Sequence, residues 1–111
     1  MECLFCKIIN KEIPSDIIYE DDKFVAFRDI NPIAPIHLLI IPKKHILSMG
    51  HVEASSKGLV GELFLTAKKI AEEQGVAENG YRLILNVGKD ADQSVNHLHL
   101  HLLGGKTLPW N

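Results

Sequence analysis

The chain has 111 residues, of which 46% are hydrophobic and 23% are charged, and these proportions are ordinary for a globular protein. This length suits one domain around one hydrophobic core, expected to span residues 1–111. The net charge of −2 gives no basic field, which argues against nucleic acid or an anionic membrane as a partner.

The start of the chain does not have the pattern of a secretory signal peptide. Glu2 and Cys3 stand where such a peptide has a basic start and a longer apolar core. No apolar run approaches the ~20 residues that a membrane-spanning helix needs. We therefore expect a soluble protein of the cytoplasm.

The first quarter of the chain predicts a short helix followed by a β-hairpin. Apolar residues recur at helical spacing within residues 3–10, and Pro14 is expected to end this helix. Residues 17–20 predict a strand, residues 21–23 a turn, and residues 24–28 the returning strand.

The next segment predicts a loop and then a buried strand. A loop over residues 29–35 is restricted by two prolines. The apolar run 37–41 is rich in β-branched residues and stops at Pro42, which is typical of a buried strand. Residues 48–54 are expected to be irregular or briefly helical.

One long helix is predicted from an apolar stripe at i, i+3, i+4, i+7 spacing. Ser55 or Ser56 can cap its start, and Gly75 is a suitable end. Plain core packing is the expected role of this stripe. Its members are Leu59, Val60, Leu63, Phe64, Ala67, Ile70 and Ala71.

The last part of the chain predicts a second antiparallel hairpin. Its strands are residues 81–87 and 97–103, the turn is the polar segment 88–94, and Gly104 and Gly105 end it. Five strands, one long helix and one short helix indicate an α+β fold with a five-stranded antiparallel sheet.

Three histidines alternate with leucines in the last predicted strand. Because side chains of a strand alternate between its faces, His97, His99 and His101 would share one face. Two functions fit this face. Alternate imidazoles converge on zinc in many proteins, and a neutral imidazole can also attack an electrophile and form a covalent intermediate.

The two cysteines form a Cys3-x-x-Cys6 pair. Such a pair serves as a redox couple, half of a zinc site or a strained disulfide. A thioredoxin-type couple follows a strand, whereas nothing here precedes the pair, and cytosolic thiols stay reduced. Half of a Cys2His2 zinc site is the interpretation left, and it requires two distant histidines.

Taken together, these motifs resemble the histidine triad (HIT) superfamily, whose signature is His-φ-His-φ-His-φ-φ with φ apolar. More of the chain is similar to the histidine triad nucleotide-binding (HINT) branch, in order and without large insertions. The matching segments are residues 5–9 with Glu12-Ile13-Pro14, 26–32, 34–37, 41–45, 93–97 and 97–105.

The resemblance implies a purine nucleoside phosphoramidase that cleaves adenosine 5'-phosphoramidate-type substrates to AMP. His99 would be the nucleophile and form a covalent nucleotidyl-histidine, with its other ring nitrogen held by a backbone carbonyl. His101 would contact the phosphate and help to protonate the leaving group. The nucleotidyl-transferase branch has glutamine at this last position, so His101 indicates hydrolysis.

Further site residues are implied by the same resemblance. Ser94 would donate to the leaving group, and the amide of Asn86 on the facing strand would bind a phosphate oxygen. His37 would support the triad's protonation and orientation, and the carboxylate of Asp29 would accept both ribose hydroxyls. The purine slot would be lined by Leu4, Phe5, Ile8, Phe27 and Ile30.

The zinc interpretation gains two histidines from the resemblance. Cys3, Cys6, His45 and His97 form a candidate Cys2His2 set like that of many bacterial HIT proteins, some of which bind zinc there. The best-known animal HINT proteins lack the cysteine pair. Four protein ligands leave no open position, so the metal would be structural and not needed for catalysis.

The resemblance also implies a homodimer whose sheets join across a two-fold axis. The strand 81–87 and the long helix would form the interface, and the tail with Trp110 would reach the partner's active site. Three alternatives stay open: a dinucleoside polyphosphate hydrolase, a nucleotide-binding regulatory protein with incidental catalysis, and a metalloenzyme with all three triad histidines on one ion. The last needs distortion, because His97 and His101 are ~13 Å apart in a straight strand.

Overall fold

The computed structural model describes residues 3–110, and it has the predicted α+β architecture with one long helix, one short helix and a five-stranded antiparallel sheet. The helices are α1 (Leu4–Ile9) and α2 (Lys57–Glu73). The strands are β1 (Ile17–Glu20), β2 (Phe24–Arg28), β3 (Ile36–Pro42), β4 (Tyr81–Ile84) and β5 (Leu100–Gly104). The prediction of fold class is confirmed.

The order of the strands across the sheet is β1-β2-β3-β5-β4. Each neighbouring pair is antiparallel, so the last hairpin inserts β5 beside β3 and leaves β4 at the edge. In this register Leu39 of β3 lies opposite His101 of β5, and His37 lies opposite Leu103. The histidine strand is therefore central, and His37 is its neighbour.

Both faces of the sheet are covered, which explains why β2 and β3 are apolar at nearly every position. One face packs against α2 and contains Leu38, Ile40 and Leu100 in its core. The other face packs against α1 and contains Leu39 and Ile41. Since successive side chains alternate, His101 and His37 lie on the α1 face.

The predicted last strand is shorter than expected, and its first two histidines precede it. β5 begins at Leu100, because upstream the N–H of Leu98 donates to the carbonyl of Ile46 at 2.6 Å outside the sheet ladder. The alternation of side chains nevertheless holds, since Leu98 is in the core on the α2 side. The predicted partner strand ends at Ile84, so Asn86 lies in a loop and not on a facing strand.

Three details of the helices differ from expectation. α1 ends at Ile9, well before Pro14, in a turn where Lys11 has a φ of 61° and Glu12 N–H bonds back to the carbonyl of Lys7. Ser56 occupies the N-cap position of α2, but its side chain makes no capping hydrogen bond. Phe64, predicted as a member of the buried stripe, is 40% exposed.

The segment before α2 contains two short 3-10 helices, Met49–His51 and Ala54–Ser56, as its irregular pattern predicted. Within residues 3–110, neither α-helix has both the length and the apolarity that crossing a bilayer requires.

Candidate active site and candidate metal centre

His99 lies just before β5, and its ring is held by the backbone. Its Nδ1 lies 2.7 Å from the carbonyl oxygen of His97, so the N–H at Nδ1 donates to that carbonyl. The free lone pair of the neutral ring is then on Nε2. The ring is buried and packs edge to face on Phe5, with ring centroids 5.2 Å apart. A held imidazole with a free Nε2 has the chemistry of a nucleophile.

His37 and His101 form a hydrogen-bonded pair beside this ring. The N–H of Ile33 donates to Nδ1 of His37 at 3.2 Å, which keeps the proton of neutral His37 on Nε2. That Nε2 lies 3.0 Å from Nδ1 of His101 and 3.4 Å from Oδ2 of Asp29. Because Nδ1 of His101 accepts, its own proton is on Nε2, where a ligand can accept it.

Burial keeps this pair neutral. Burial, with smaller contributions from the neighbouring His99 and His37, lowers the pKa of His101 to about 4, although the carboxylate of Asp29 opposes this shift. Burial also lowers the pKa of His37, again against the carboxylate of Asp29. At neutral pH both rings therefore act as uncharged hydrogen-bond donors and acceptors.

Ligand-type atoms of Asp29, His37 and His101 lie close enough together to suggest a metal site. The hydrogen bond from Ile33 argues against a cation here. It uses the lone pair on Nδ1 of His37, so the Nε2 that faces the other two residues keeps its proton. We interpret this group as a hydrogen-bond chain.

A cavity of about 540 Å³ contains most of the residues predicted to bind nucleotide. α1 forms one wall of it, and the end of β2 with the loop that follows forms another. Phe5, Ile8 and Phe27 are buried, whereas Leu4 and Ile30 are exposed at the rim. The predicted residues on its lining are Leu4, Phe5, Ile8, Phe27, Asp29, Ile30 and Ser94.

Two predicted nucleotide-binding residues lie elsewhere. The side-chain amide of Asn86 donates to the carbonyl of Ala91 at 3.0 Å, and Asn86 is not on the cavity lining. Trp110 is exposed and is likewise off the lining. Their roles toward a nucleotide stay predictions.

The lining also includes residues that the sequence motifs did not single out. Asp16 and Arg28 form an ion pair on it, and Leu39 and Val95 add apolar surface. For Arg28, its position next to Asp29 in the sequence could have indicated that it lies at the cavity. Asp16 joins the site only because β1 pairs with β2.

Cys3, Cys6, His45 and His97 bring their ligand atoms together in a second group. Nδ1 of His97 lies 3.4 Å from Sγ of Cys3, 3.6 Å from Sγ of Cys6 and 3.1 Å from Nδ1 of His45. Sγ of Cys6 lies 3.4 Å from Nδ1 of His45. Tetrahedral zinc, with bonds of about 2.3 Å to sulfur and about 2.0 Å to nitrogen, spaces its ligands roughly 3.3–3.8 Å apart. The group therefore fits such a cation.

The surroundings of this group also fit a cation. Nε2 of His97 lies 2.8 Å from the carbonyl oxygen of Pro42, so its N–H donates there and the lone pair on Nδ1 faces the cysteines. Burial and the neighbouring Cys3 raise the pKa of Cys6 to about 11 in the metal-free chain. A bound cation would displace that proton. Because His97 faces the cysteines and His99 bonds to a carbonyl, the three triad histidines do not converge on one ion.

The two sites share elements. Cys3 is the N-cap residue of α1, and this helix forms a wall of the cavity. Cys6 on the same helix belongs to the cysteine–histidine group, while Phe5 packs on His99. His97 offers its ring to the metal group and its carbonyl to His99. A change at this cysteine–histidine group would therefore reach His99 through one residue, His97.

Comparison with known protein families assigns the class of this fold and site. The family model described as HIT domain matches residues 10–108. This chain belongs to the HIT family.

Particular relatives cover nearly the whole chain. Purine nucleoside phosphoramidase of Escherichia coli strain K12 is 51% identical over 107 residues, which are 96% of this chain and 90% of that protein. The crystal structure of a HIT family hydrolase from Legionella pneumophila superposes with a TM-score of 0.96 at 50% identity, covering 98% of this chain and 97% of that one.

A zinc-bound relative has also been solved. The crystal structure of a zinc-bound histidine triad family protein from Mycobacterium smegmatis has a TM-score of 0.79 and 30% identity to this chain. The match covers 96% of this chain and 76% of that protein.

Proposed function

We propose that this protein is a nucleotide hydrolase of the purine nucleoside phosphoramidase type, which converts adenosine 5'-phosphoramidate-like substrates to AMP. The observation that carries the proposal is the state of His99. Its Nδ1–H is bound to a carbonyl, its Nε2 is free, and it packs on a wall of the cavity through Phe5. The Escherichia coli relative that is 51% identical bears the name of this activity.

The reaction proceeds in two displacements. Nε2 of His99 attacks the α-phosphorus, the P–N bond to the leaving amine breaks, and the amine keeps the electron pair and takes up a proton from solvent. Water then attacks the phosphorus of the nucleotidyl-histidine. The P–N bond to His99 breaks, its electron pair returns to Nε2, and the proton of the water is released to solvent.

The other residues hold the substrate. The Nε2–H of neutral His101 donates to a phosphoryl oxygen or to the leaving group, and His37 fixes that tautomer. Ser94 donates near the leaving group, and Asp29 accepts from the ribose hydroxyls. The apolar part of the cavity receives the purine, Asn86 turns to the phosphate from its loop, and Trp110 serves the partner's site.

Turnover of adenosine 5'-phosphoramidate, with and without chelator, tests this proposal. We expect chelator-resistant release of AMP, reduced at least about a thousandfold in His99→Asn because the nucleophile is lost. His51→Asn is the matched control, since His51 is an exposed histidine off the cavity. A native protein that binds AMP without turnover would contradict the proposal and favour a regulatory nucleotide-binding role. Faster cleavage of a diadenosine polyphosphate would favour the dinucleoside polyphosphate hydrolase.

We also propose that Cys3, Cys6, His45 and His97 hold one structural zinc ion. The spacing of their four ligand atoms and the carbonyl behind His97 support this. The cation would supply a cross-link between α1 and the segment before β5. The cysteines are free thiols, which suits a protein of the cytoplasm.

A homodimer is the proposed assembly. β4 is an edge strand with an unpaired backbone side, and α2 exposes Leu65 by 67% and Phe64 by 40%. Pairing of two β4 edges with contact between two α2 helices would cover both features.

A further inference from the structure

An ion pair lies on the lining of the nucleotide cavity and takes no part in the proposed reaction. Nε of Arg28 is 2.9 Å from Oδ2 of Asp16, and the backbone N–H of Arg28 donates to the carbonyl of Asp16 at 3.1 Å. Both residues line the same cavity as Phe5 and Phe27. A main-chain hydrogen bond and a side-chain ion pair thus hold the two residues together on the cavity lining.

The topology places this pair far from the triad. Asp16 directly precedes β1, and β1 is three strand positions from β5, which is about 14 Å at the usual strand spacing. Asp29 lies between the two, since it contacts His37 next to β5 and follows Arg28 at the end of β2. A nucleotide with its phosphate at His99 and its ribose at Asp29 would therefore direct its base toward the ion pair.

The pair has hydrogen-bonding capacity left for a ligand. The side chains of Arg28 and Asp16 are 46% and 68% exposed, so their outer atoms are open to the cavity mouth. A carboxylate has about four acceptor sites, of which Nε of Arg28 uses one. Arg28 likewise has further N–H donors on its guanidinium. The cavity that contains the apolar side chains of Phe5 and Phe27 thus also offers a strong acceptor beside a strong donor.

Guanine matches this end better than adenine does. Its N1–H and its exocyclic amino group point the same way and can donate together to one carboxylate, while its O6 accepts from a guanidinium. Adenine presents the lone pair of N1 beside its amino group, and that lone pair repels a carboxylate. We propose that Asp16, with Arg28, is a specificity-determining residue that selects guanosine over adenosine substrates, and this rests on the proposed phosphoramidase function.

The test compares guanosine, inosine and adenosine 5'-phosphoramidates by kcat/KM. Inosine lacks the amino group of guanine and is otherwise the same, so it isolates one of the two donors. We expect the kcat/KM for guanosine to exceed that for each of the others by about fivefold or more. This value is at the lower end of the range for a bidentate contact, because the ion pair is partly exposed.

Two variants of one residue separate recognition from structure. Asp16→Ala should bring guanosine and inosine to similar kcat/KM, because the amino group of guanine loses its acceptor, while Arg28 still favours the O6 of both over the amino group of adenine. Asp16→Asn should favour adenosine, because a carboxamide both accepts from the amino group and donates to N1. Asp22→Asn, an exposed acid in the turn before β2, should keep the guanosine preference of the native chain.

The outcomes distinguish this inference from the proposed function. Cleavage of all three substrates at similar rates by the native chain would overturn the role of Asp16 and leave the phosphoramidase activity standing. Absence of turnover with every substrate would overturn the activity itself, and the equilibrium affinities for GMP and AMP would then decide on Asp16. A preference for guanosine over inosine that both Asp16 variants retain would also overturn the inference.

Discussion

The histidines of this site differ in their hydrogen-bonding state because each ring meets a different backbone group. The N–H of Ile33 fixes His37, the carbonyl of His97 fixes His99, and the carbonyl of Pro42 fixes His97. A backbone group cannot change its donor or acceptor character, so the proton of each ring has a set position. Identical residues two positions apart are thereby suited to the two proposed roles, metal ligand for His97 and nucleophile for His99.

The lowered pKa of His101 predicts acid sensitivity of the fold. The unfolded chain binds a proton at this histidine near pH 6.5, whereas the folded chain does so only at about pH 4. Between these values the unfolded state holds more protons, so the free energy of unfolding falls as pH falls and is fully recovered above about pH 6.5.

Chemical denaturation at pH 7, 6, 5 and 4 measures this effect. The free energy of unfolding of the native chain should fall by roughly 2 kcal/mol more over this range than that of His101→Asn. His51→Asn removes an exposed histidine instead and should follow the native chain. Parallel curves for the native chain and His101→Asn would contradict the prediction.

At the scale of elements, α1 is too short to be stable by itself. A helix of six residues is well below the length at which isolated helices form in water. It is held by packing of Phe5 and Ile8 on the sheet and by the cluster of Cys3 and Cys6 with two histidines. Since the same helix forms a wall of the cavity, its docking determines whether this cavity exists.

Loss of the metal ligands should therefore weaken nucleotide binding. Fresh, reduced protein should contain about one zinc per chain, and the double variant Cys3→Ser, Cys6→Ser should contain none. In a His99→Asn background, which removes turnover, the Kd for AMP should rise roughly tenfold on adding the two serines, because α1 no longer holds its place.

Elemental analysis and calorimetric titration with AMP give the two readouts. Asn10→Ser, at the end of the same helix but without a ligand atom in the cluster, is the control and should retain both zinc and affinity. Native protein without zinc would contradict the metal assignment. A zinc-free variant with native affinity for AMP would contradict the link to the cavity.

At the scale of the whole molecule, apolar side chains of α2 and the edge of β4 are exposed at the surface. The α2 face of the sheet is well covered, yet α2 itself turns Leu65 and Phe64 outward, and β4 leaves one side of its backbone unpaired. Exposed apolar side chains and a free strand edge are each typical of an interface. Pairing with a second copy of the chain, as proposed, would cover both.

A charge at this surface should separate the copies. Leu65→Glu is expected to shift the mass in light scattering from two chains to one, since the glutamates would face an apolar contact. Leu47→Glu, at a site that is 40% exposed on the loop after β3, should leave two chains. A native mass of one chain would refute the dimer.

The sequence alone predicted much of the element order and the class of fold. Period-2 and period-3.6 apolar patterns are local properties, and β1 and β2 have the predicted bounds. Element ends were less predictable where tertiary contacts decide them. Leu98 leaves the sheet ladder to bond with Ile46, and Phe64 turns outward although its spacing fits the stripe.

The triad and the cysteine pair were also visible in the sequence, because residue type and spacing carry chemistry, whereas the nucleotide-binding candidates came from the resemblance to the HIT superfamily. Only the tertiary structure decided the position of the ring protons and the contacts of the individual side chains. It set the ring proton of His99 through a carbonyl, turned His97 to the cysteines, and brought Asp16 beside Arg28 in the cavity. These depend on hydrogen bonds and strand pairing between distant segments, and such contacts are set by packing of the whole chain and not by local sequence.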